Sequence, residues 1–346
     1  TVPVSVSDRE GRFIADLKKE DFQISENGKP QEIAYFGATE MPFTVALVLD
    51  VSLSASFKID EIQTAAFLFV KQLRPNDRVL VISFDEQVHF LCEPTNDREK
   101  LRLAINQARF GQGTSLYNSV KMTFDRLKFI EGRKAIVLFT DGVDTTSRDA
   151  NDGDNLRQSQ EFDALVYPIH YDTYNDVQRI KNQPPPVVNP NPVPGSPVPL
   201  PTSRQTIPGT NIPLPQMPQN GGGRTGRGTP TINDDRGTQT VGDDREMSLP
   251  GDGTSRQAYA NGKQYLDKLA MNTGGRVYEA DSKGNLANSF TGIAEELRRQ
   301  YSLGYYPETS GKQGERRAVK VRVNRPKAVV RARGDYVVGK EKKKAR

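Results

Sequence analysis

The sequence predicts an α/β fold: a doubly wound, mainly parallel sheet, with a small β-module formed from both termini and a long disordered Pro/Gly-rich insertion. Three observations carry that reading. Near-continuous apolar runs of strand length, at Phe43 to Leu49, Arg78 to Phe84 and Ala135 to Thr140, read as strands buried on both faces. Between them apolar residues recur at helical spacing, as in Ile59, Ile62, Ala66, Phe69 and Leu73. Residues 184–218 hold 13 prolines in 35 positions, and 219–256 are Gly, Asp, Arg, Thr and Ser with almost nothing apolar. Such a stretch lacks backbone donors and cannot bury enough surface to offset its ordering entropy.

The elements follow in order. In the segment 1–42, Val2, Val4 and Val6 alternate with polar residues, and Phe22 to Glu26 is set against Glu32 to Phe36 across Asn27-Gly28, a dipeptide that tolerates positive φ. From 43 to 300 strands and helices alternate, as in a parallel sheet with helical crossovers. The helix from Ile59 leads to the strand Arg78 to Phe84, and Gln87 to Cys92 returns as an antiparallel hairpin. Leu116, Val120, Phe124 and Leu127 mark a helix before Ala135 to Thr140; a polar helix at Asn155 to Asp163 precedes the strand Ala164 to His170. Beyond the insertion, placed at 180–254, come a helix at Ala258 to Met271, a strand at Gly275 to Glu279 and a helix carrying Leu286, Phe290, Ile293 and Leu297. Strands return at Tyr301 to Tyr306, Arg317 to Asn324, Ala328 to Arg331 and Asp335 to Val338. Each β-rich end is too small to be stable alone, so 301–338 is expected to pair with 1–42, leaving 339–346 as a basic tail.

Composition removes several classes of function. One cysteine, Cys92, excludes an internal disulfide framework and a cysteine-based zinc site, and it reads as a small core residue. Two histidines, His89 and His170, leave little for a His-rich metal centre or a Ser-His-Asp triad; both read as packed or rim residues. The apolar runs end at charges before reaching the length of a membrane span, so no transmembrane segment is expected. The chain opens at Thr1 without methionine, which reads as a processed or trimmed start. The net charge of +5 is uneven: residues 311–346 carry 14 Lys or Arg against 3 Asp or Glu, and the rest carries 34 against 40. In Val319-Lys320-Val321-Arg322-Val323 the cations alternate with valines, as the wet face of a sheet requires, and no aromatic residue is interleaved; nucleic acid is not an expected partner.

Ligands of an open α/β sheet bind beyond the carboxyl ends of its strands, where strand order reverses. Asp50 ends the first buried strand, in Asp50-Val51-Ser52-Leu53-Ser54, and Asp141 follows another, in Thr140-Asp141-Gly142. Thr114, in Gly113-Thr114-Ser115, offers a hydroxyl between them. Hard oxygen side chains from three loops, two of them anionic, suit an octahedral Mg²⁺ or Mn²⁺ completed by water. Taken singly, Asp50, Ser52 and Thr114 are more often helix caps; taken together, with both aspartates at buried strand ends, they favour metal. Other motifs point elsewhere. Asp149 to Asp154 looks like a calcium loop, but its glycine is one position early and its twelfth residue is not Glu, so it reads as the loop before a helix. Arg333-Gly334-Asp335 sits between strands, where a turn favours Gly-Asp.

At these residues the chain resembles the von Willebrand factor type A domain, whose metal-ion-dependent adhesion site has the pattern D-x-S-x-S, then T, then D-G. Asp50, Ser52, Ser54, Thr114 and Asp141 match it in order, over a domain of about residues 43–300, insertion apart. The resemblance implies that the serine and threonine hydroxyls coordinate the ion and that the aspartates act directly or through water. Two departures stand out: Ala55 takes a position where many members have methionine, and Ser56-Phe57 replaces the aspartates of an adjacent calcium site. The flanks, including Lys18 to Phe22 and Tyr301 to Pro307, resemble a group of bacterial "VWFA-related" exported proteins, which implies an extracytoplasmic location in the periplasm, cell envelope or medium. The functional expectation is a non-enzymatic adhesion or scaffold module whose ion accepts an Asp or Glu carboxylate from a protein partner. The alternatives are a structural envelope component with a metal-rigidified domain, or a Mg²⁺-dependent hydrolase. The last fits less well, because Ser52 stands where an Asp-x-Asp phosphatase needs its acid and no G-x-x-x-x-G-K-[ST] loop occurs.

Overall fold

The computed structural model describes residues 1–38, 42–52, 59–181, 253–280, 283–309 and 311–338. Its strands are β1 (Val2–Ser7), β2 (Phe22–Glu26), β3 (Lys29–Gln31), β4 (Tyr35–Ala38), β5 (Phe43–Asp50), β6 (Arg78–Phe84), β7 (Val88–Thr95), β8 (Arg133–Thr140), β9 (Leu165–His170), β10 (Tyr278–Glu279), β11 (Tyr301–Gly304), β12 (Arg316–Val323), β13 (Val329–Ala332) and β14 (Asp335–Val337). Its α-helices are α1 (Ile59–Gln72), α2 (Arg98–Gln107), α3 (Leu116–Leu127), α4 (Asp152–Glu161), α5 (Tyr174–Lys181), α6 (Arg256–Thr273) and α7 (Lys283–Arg298).

The central sheet runs β10-β9-β8-β5-β6-β7, parallel except for the antiparallel edge strand β7. Its strands are apolar throughout because both faces are covered. Val45, Leu47, Leu49, Val137, Phe139 and Tyr167 pack with α1, α2 and α7, whereas Ala46, Val48, Ile136, Leu138 and Val166 pack with α3 and α6. The chain passes from β5 through α1 to β6 on one side, and later returns through α3 to β8 on the other side of β5. The order therefore reverses between β5 and β8, and the carboxyl ends of these two strands are the switch point at which ligands of such sheets bind.

The two ends of the chain build a second β-structure. Sheets β13-β1-β11-β4 and β14-β12-β2-β3 each mix strands from residues 1–38 with strands from beyond residue 300. Val4 pairs with both Tyr301 and Ala332, and Val319 pairs with Glu26. Val4, Val6, Phe22, Ile24, Tyr301, Leu303 and Val319 form the core between the sheets. This structure is fastened to the α/β domain through Glu296 of α7, fully buried, which accepts hydrogen bonds from Ser5 at 2.8 Å and Arg331 at 3.1 Å.

Several local expectations need correction. Asn27 and Gly28, at φ 48° and 83°, turn the chain so tightly that Glu26 pairs at once with Lys29. The partner of β2 is thus 29–31 and not 32–36, and the following strand β4 joins the opposite sheet beside β11. The strand expected from Gly275 shortens to Tyr278–Glu279, since the amides of Gly274 and Gly275 still close the end of α6 onto Met271 and Ala270. Helices α2 and α5 were not foreseen; α2 buries only Leu101, Ala104 and Ile105, behind an Asp97 cap that accepts from the amides of Glu99 and Lys100. Cys92 lies half-buried on edge strand β7 and not inside the core. The insertion expected at 180–254 falls outside the described residues over 182–252, whereas its edges are described, in α5 and at Gly253-Thr254. Among the described residues no helix is long and apolar enough to cross a membrane.

A buried ion pair adds to the ladders and core that join the two ends. Arg317, 3% exposed, donates to Glu26 at 2.6 Å, and its remaining donors reach Glu315 and Thr309. Arg317→Met leaves Glu26 buried without its cation and is expected to lower unfolding free energy in urea by about 3 kcal/mol. The double variant Glu26→Gln/Arg317→Met should recover most of that loss, since no uncompensated charge remains. Equal stabilities for the single variant and the parent would show that the pair is not what holds β2 to β12.

Candidate functional site

The pleat of β5 and β8 sets the site. The strands run parallel with Leu49 beside Phe139, so even-numbered residues of both face α3 and α6. Asp50 and Thr140 are therefore neighbours, and the Thr140 hydroxyl donates to Asp50 Oδ2 at 2.8 Å. Asp50 is fully buried; its other oxygen accepts the Ser52 amide at 3.0 Å, and the Ser52 hydroxyl bonds the same carboxylate. Asp141, 1% exposed, accepts the Val143 amide at 3.1 Å and the Thr173 hydroxyl at 2.7 Å. Thr114 is held between two loops: its amide donates to the Thr145 hydroxyl, and its carbonyl accepts from the amides of Thr145 and Thr146. The preceding loop is tied to the Asp50 loop by the Gly111 amide, which donates to the Val51 carbonyl at 2.8 Å.

Asp50, Ser52, Thr114 and Asp141 thus stand on three adjoining loops at the switch point; Ser54 lies outside the described residues. Burial, and next the charge of Asp141, push the Asp50 carboxyl up to about 7. Two buried carboxylates, the charge of one opposing the ionisation of Asp50, with hydroxyls as their companions, match the hard-oxygen preference of Mg²⁺ or Mn²⁺. Among the described residues no group of three or more His, Cys, Asp or Glu could hold a metal ion, so the charged donors here number two and the rest are hydroxyls. Neither histidine belongs to it. His89 bonds Asp85 at 3.1 Å, and His170 bonds Glu279 at 2.8 Å. Asn151 caps α4 through the Asp154 amide, in keeping with a helix-start loop at 149–154. Arg333 of the RGD tripeptide is buried and donates to the Phe162 carbonyl, while Asp335 pairs with Arg316. Cavities of about 370 and 560 Å³ lie elsewhere, the first at Tyr35, Phe43 and Arg133 and the second at Phe22, Ile24 and Ile33.

The family model of the von Willebrand factor type A domain matches residues 45–143, the span that runs from β5 to the residues just after Asp141. Over those residues the chain is similar to a von Willebrand factor type A domain. Among solved structures, the domain is similar to the von Willebrand factor domain of a type V pili tip protein from Porphyromonas gingivalis, at 25% identity, with 32% of this chain and 40% of that chain covered and a TM-score of 0.29. The chain therefore spans less than two thirds of that relative. An aerotolerance-related membrane protein from Bacteroides fragilis is 15% identical over 74% of this chain and 98% of its own, with a TM-score of 0.42. A von Willebrand factor type A protein from Catenulispora acidiphila is 11% identical over 93% and 74%, with a TM-score of 0.45. No curated protein sequence matches.

Four residues of the type A domain that sequence reasoning passed over support the aspartates. Thr140 was within reach of it, because its parity with Asp50 follows from two aligned parallel strands. Thr173, Tyr259 and Gly262 were not, since they come from segments far away in the chain. Gly262 of α6 abuts the Asp141-Gly142 turn: a Cβ on Gly262 would lie 2.3 Å from the Gly142 carbonyl oxygen, and Gly142 itself sits at φ +84°. Gly262→Ala is expected to lower unfolding free energy by about 2 kcal/mol despite its better helix propensity. Gly153→Ala in α4, where a Cβ would make only an ordinary contact with Asn151 Oδ1 at 3.4 Å and φ is ordinary, serves as the control and should be neutral or slightly stabilising. Denaturant titrations that rank the two variants equally would remove the close packing from the account of the turn.

Proposed function

We propose that this type A domain is a non-enzymatic, metal-dependent protein-binding module. Asp50, Ser52, Ser54, Thr114 and Asp141 would hold a divalent ion, Mg²⁺ or Mn²⁺, and an Asp or Glu carboxylate from a partner protein would complete its coordination. The reading is carried by two buried carboxylates on adjoining loops at the switch point, where burial and the Asp141 charge raise the proton affinity of Asp50, an arrangement that a divalent charge relieves. The ion, when bound, supplies an electrophilic position for an anionic ligand. The chain's own part is to orient the donors: Thr140 and the Ser52 amide fix Asp50, Thr173 and the Val143 amide fix Asp141, and the 145–146 loop fixes Thr114. With three neutral hydroxyls in the set, the protein charge on the ion comes from two aspartates alone, so the ion stays attractive to a further carboxylate. The extracytoplasmic location belongs to the same proposal and rests on the resemblance of the flanks.

Calorimetry should detect Mg²⁺ or Mn²⁺ binding to the parent and none to Asp50→Ala. At a metal concentration one hundred times Kd, the parent should gain about 2.7 kcal/mol of stability. Identical heats from parent and variant would sink the site. Partner capture from a native envelope fraction should be lost in EDTA and in Thr114→Ala. Asp→Asn at the partner's essential acid should weaken binding by about 2 kcal/mol or more. Capture that persists unchanged in EDTA would favour the structural reading, in which metal stiffens the domain and takes no part in recognition.

A further inference from the structure

The hydrogen bonds behind Asp141 lead away from the donor set toward the two helices that border residues 182–252. Thr173, immediately before α5, donates its hydroxyl proton to Asp141 Oδ2 at 2.7 Å and lies 2.9 Å from the hydroxyl of Tyr259, in the first turn of α6. Thr173 has one proton and commits it to the carboxylate, so Tyr259 is the donor of the second bond. Both residues are buried, at 1% and 8% exposure. Burial and the nearby Asp141 charge push the Tyr259 pKa up, which keeps its hydroxyl a donor. The chain of bonds runs Tyr259 to Thr173 to Asp141.

Farther out, the same two helices are clamped together. The Tyr174 ring meets the Tyr259 ring edge-on at 5.6 Å, the Arg256 guanidinium lies 4.4 Å over Tyr174, and Gln178 donates to the Thr254 carbonyl at 2.9 Å. Gly253 packs on the other side of the site: a Cβ there would lie 2.4 Å from Thr145 Cγ2, and the Thr145 hydroxyl receives the Thr114 amide. The last residues before 182–252 and the first after it therefore reach one acidic and one hydroxyl member of the donor set.

We propose that Thr173, oriented by Tyr259, is a positioning residue for Asp141, and that this link couples the paired bases of the 182–252 span to the metal site. The proposal rests on the metal reading above. Partners of a metal ligand fix its orientation, and their loss lowers affinity by about 10- to 100-fold. Coupling of this kind is reciprocal: if the helix pair shapes the site, metal must steady the helix pair.

The test is Mn²⁺ calorimetry on the full chain and on Thr173→Val, Thr173→Ser and Tyr259→Phe, with melting in EDTA as the measure of metal-free stability. Thr173→Val should bind Mn²⁺ about tenfold or more weakly, and Thr173→Ser, which keeps the hydroxyl, should restore most of the affinity. Tyr259→Phe should fall between them, with a melting temperature in EDTA close to that of the parent. Hydrogen exchange in 174–181 and 255–262 should slow when Mn²⁺ is added to the parent and change much less in Thr173→Val. If the parent binds Mn²⁺ and Thr173→Val binds it equally well, the positioning role is overturned and the metal reading stands. If the parent binds no divalent ion, both fall together. Should Thr173→Val fail to fold, Tyr259→Phe decides: unchanged Mn²⁺ affinity overturns the link, and weakened affinity with intact metal-free stability supports it.

Discussion

Two parallel strands in a single register govern most of what this molecule can do. β5 and β8 are buried on both faces, and Leu49 lies beside Phe139. A slip of one residue would send every side chain of a strand to the opposite face. Leu47 and Val137 would then meet the helices that now receive Val48 and Leu138, and Asp50 would lose Thr140. The same alignment that packs the core also sets the carboxylate beside its hydroxyl donor. The setting of the buried carboxylate and core packing are thus specified by one set of hydrogen bonds, and the polar residues begin where the paired strands end.

Buried charge is handled differently in the two parts of the chain. At the carboxyl edge of the parallel sheet, two aspartates are each held by hydroxyl and amide donors of their own, and the charge of Asp141 helps to raise the proton affinity of Asp50. Within the terminal β-structure and at its junction with α7, the buried acids Glu26 and Glu296 each have a guanidinium. Glu26 takes Arg317, and Glu296 takes Arg276 and Arg331. The paired acids belong to joints between elements. A buried acid held by hydroxyls is more costly to keep ionised than one paired with a guanidinium.

Local signals were legible in proportion to how local their cause is. The buried strands announce themselves because both faces demand apolar residues, and the Asn27-Gly28 turn does so because positive φ restricts the choice of residue. The turn's tightness, which makes Lys29 the partner of Glu26, was misjudged because the longer apolar run at 32–36 looked like the better strand; that run instead serves the other sheet. α2 escaped notice because three buried residues behind an Asp97 cap make a weak periodic signal. Cys92 was assigned to the core on the habits of its residue type, whereas its position on the edge strand leaves it half-buried.

By itself the sequence determined the α/β class, the alternation of elements, and the aspartates, serine and threonine at strand ends and loops, since each depends on residue type and spacing within a few turns of chain. Tertiary structure alone decided which distant groups serve those residues. Thr173 reaches Asp141 from 32 positions away, Tyr259 reaches Thr173 across 86, and Gly262 lends its bare backbone to the turn after Asp141. Likewise β1 pairs with both β11 and β13, although some 300 residues separate them. Spacing rules reach as far as one helix or one strand. Contacts made by closing long loops depend on which surfaces are left to bury once the local elements exist, and no local pattern encodes that choice.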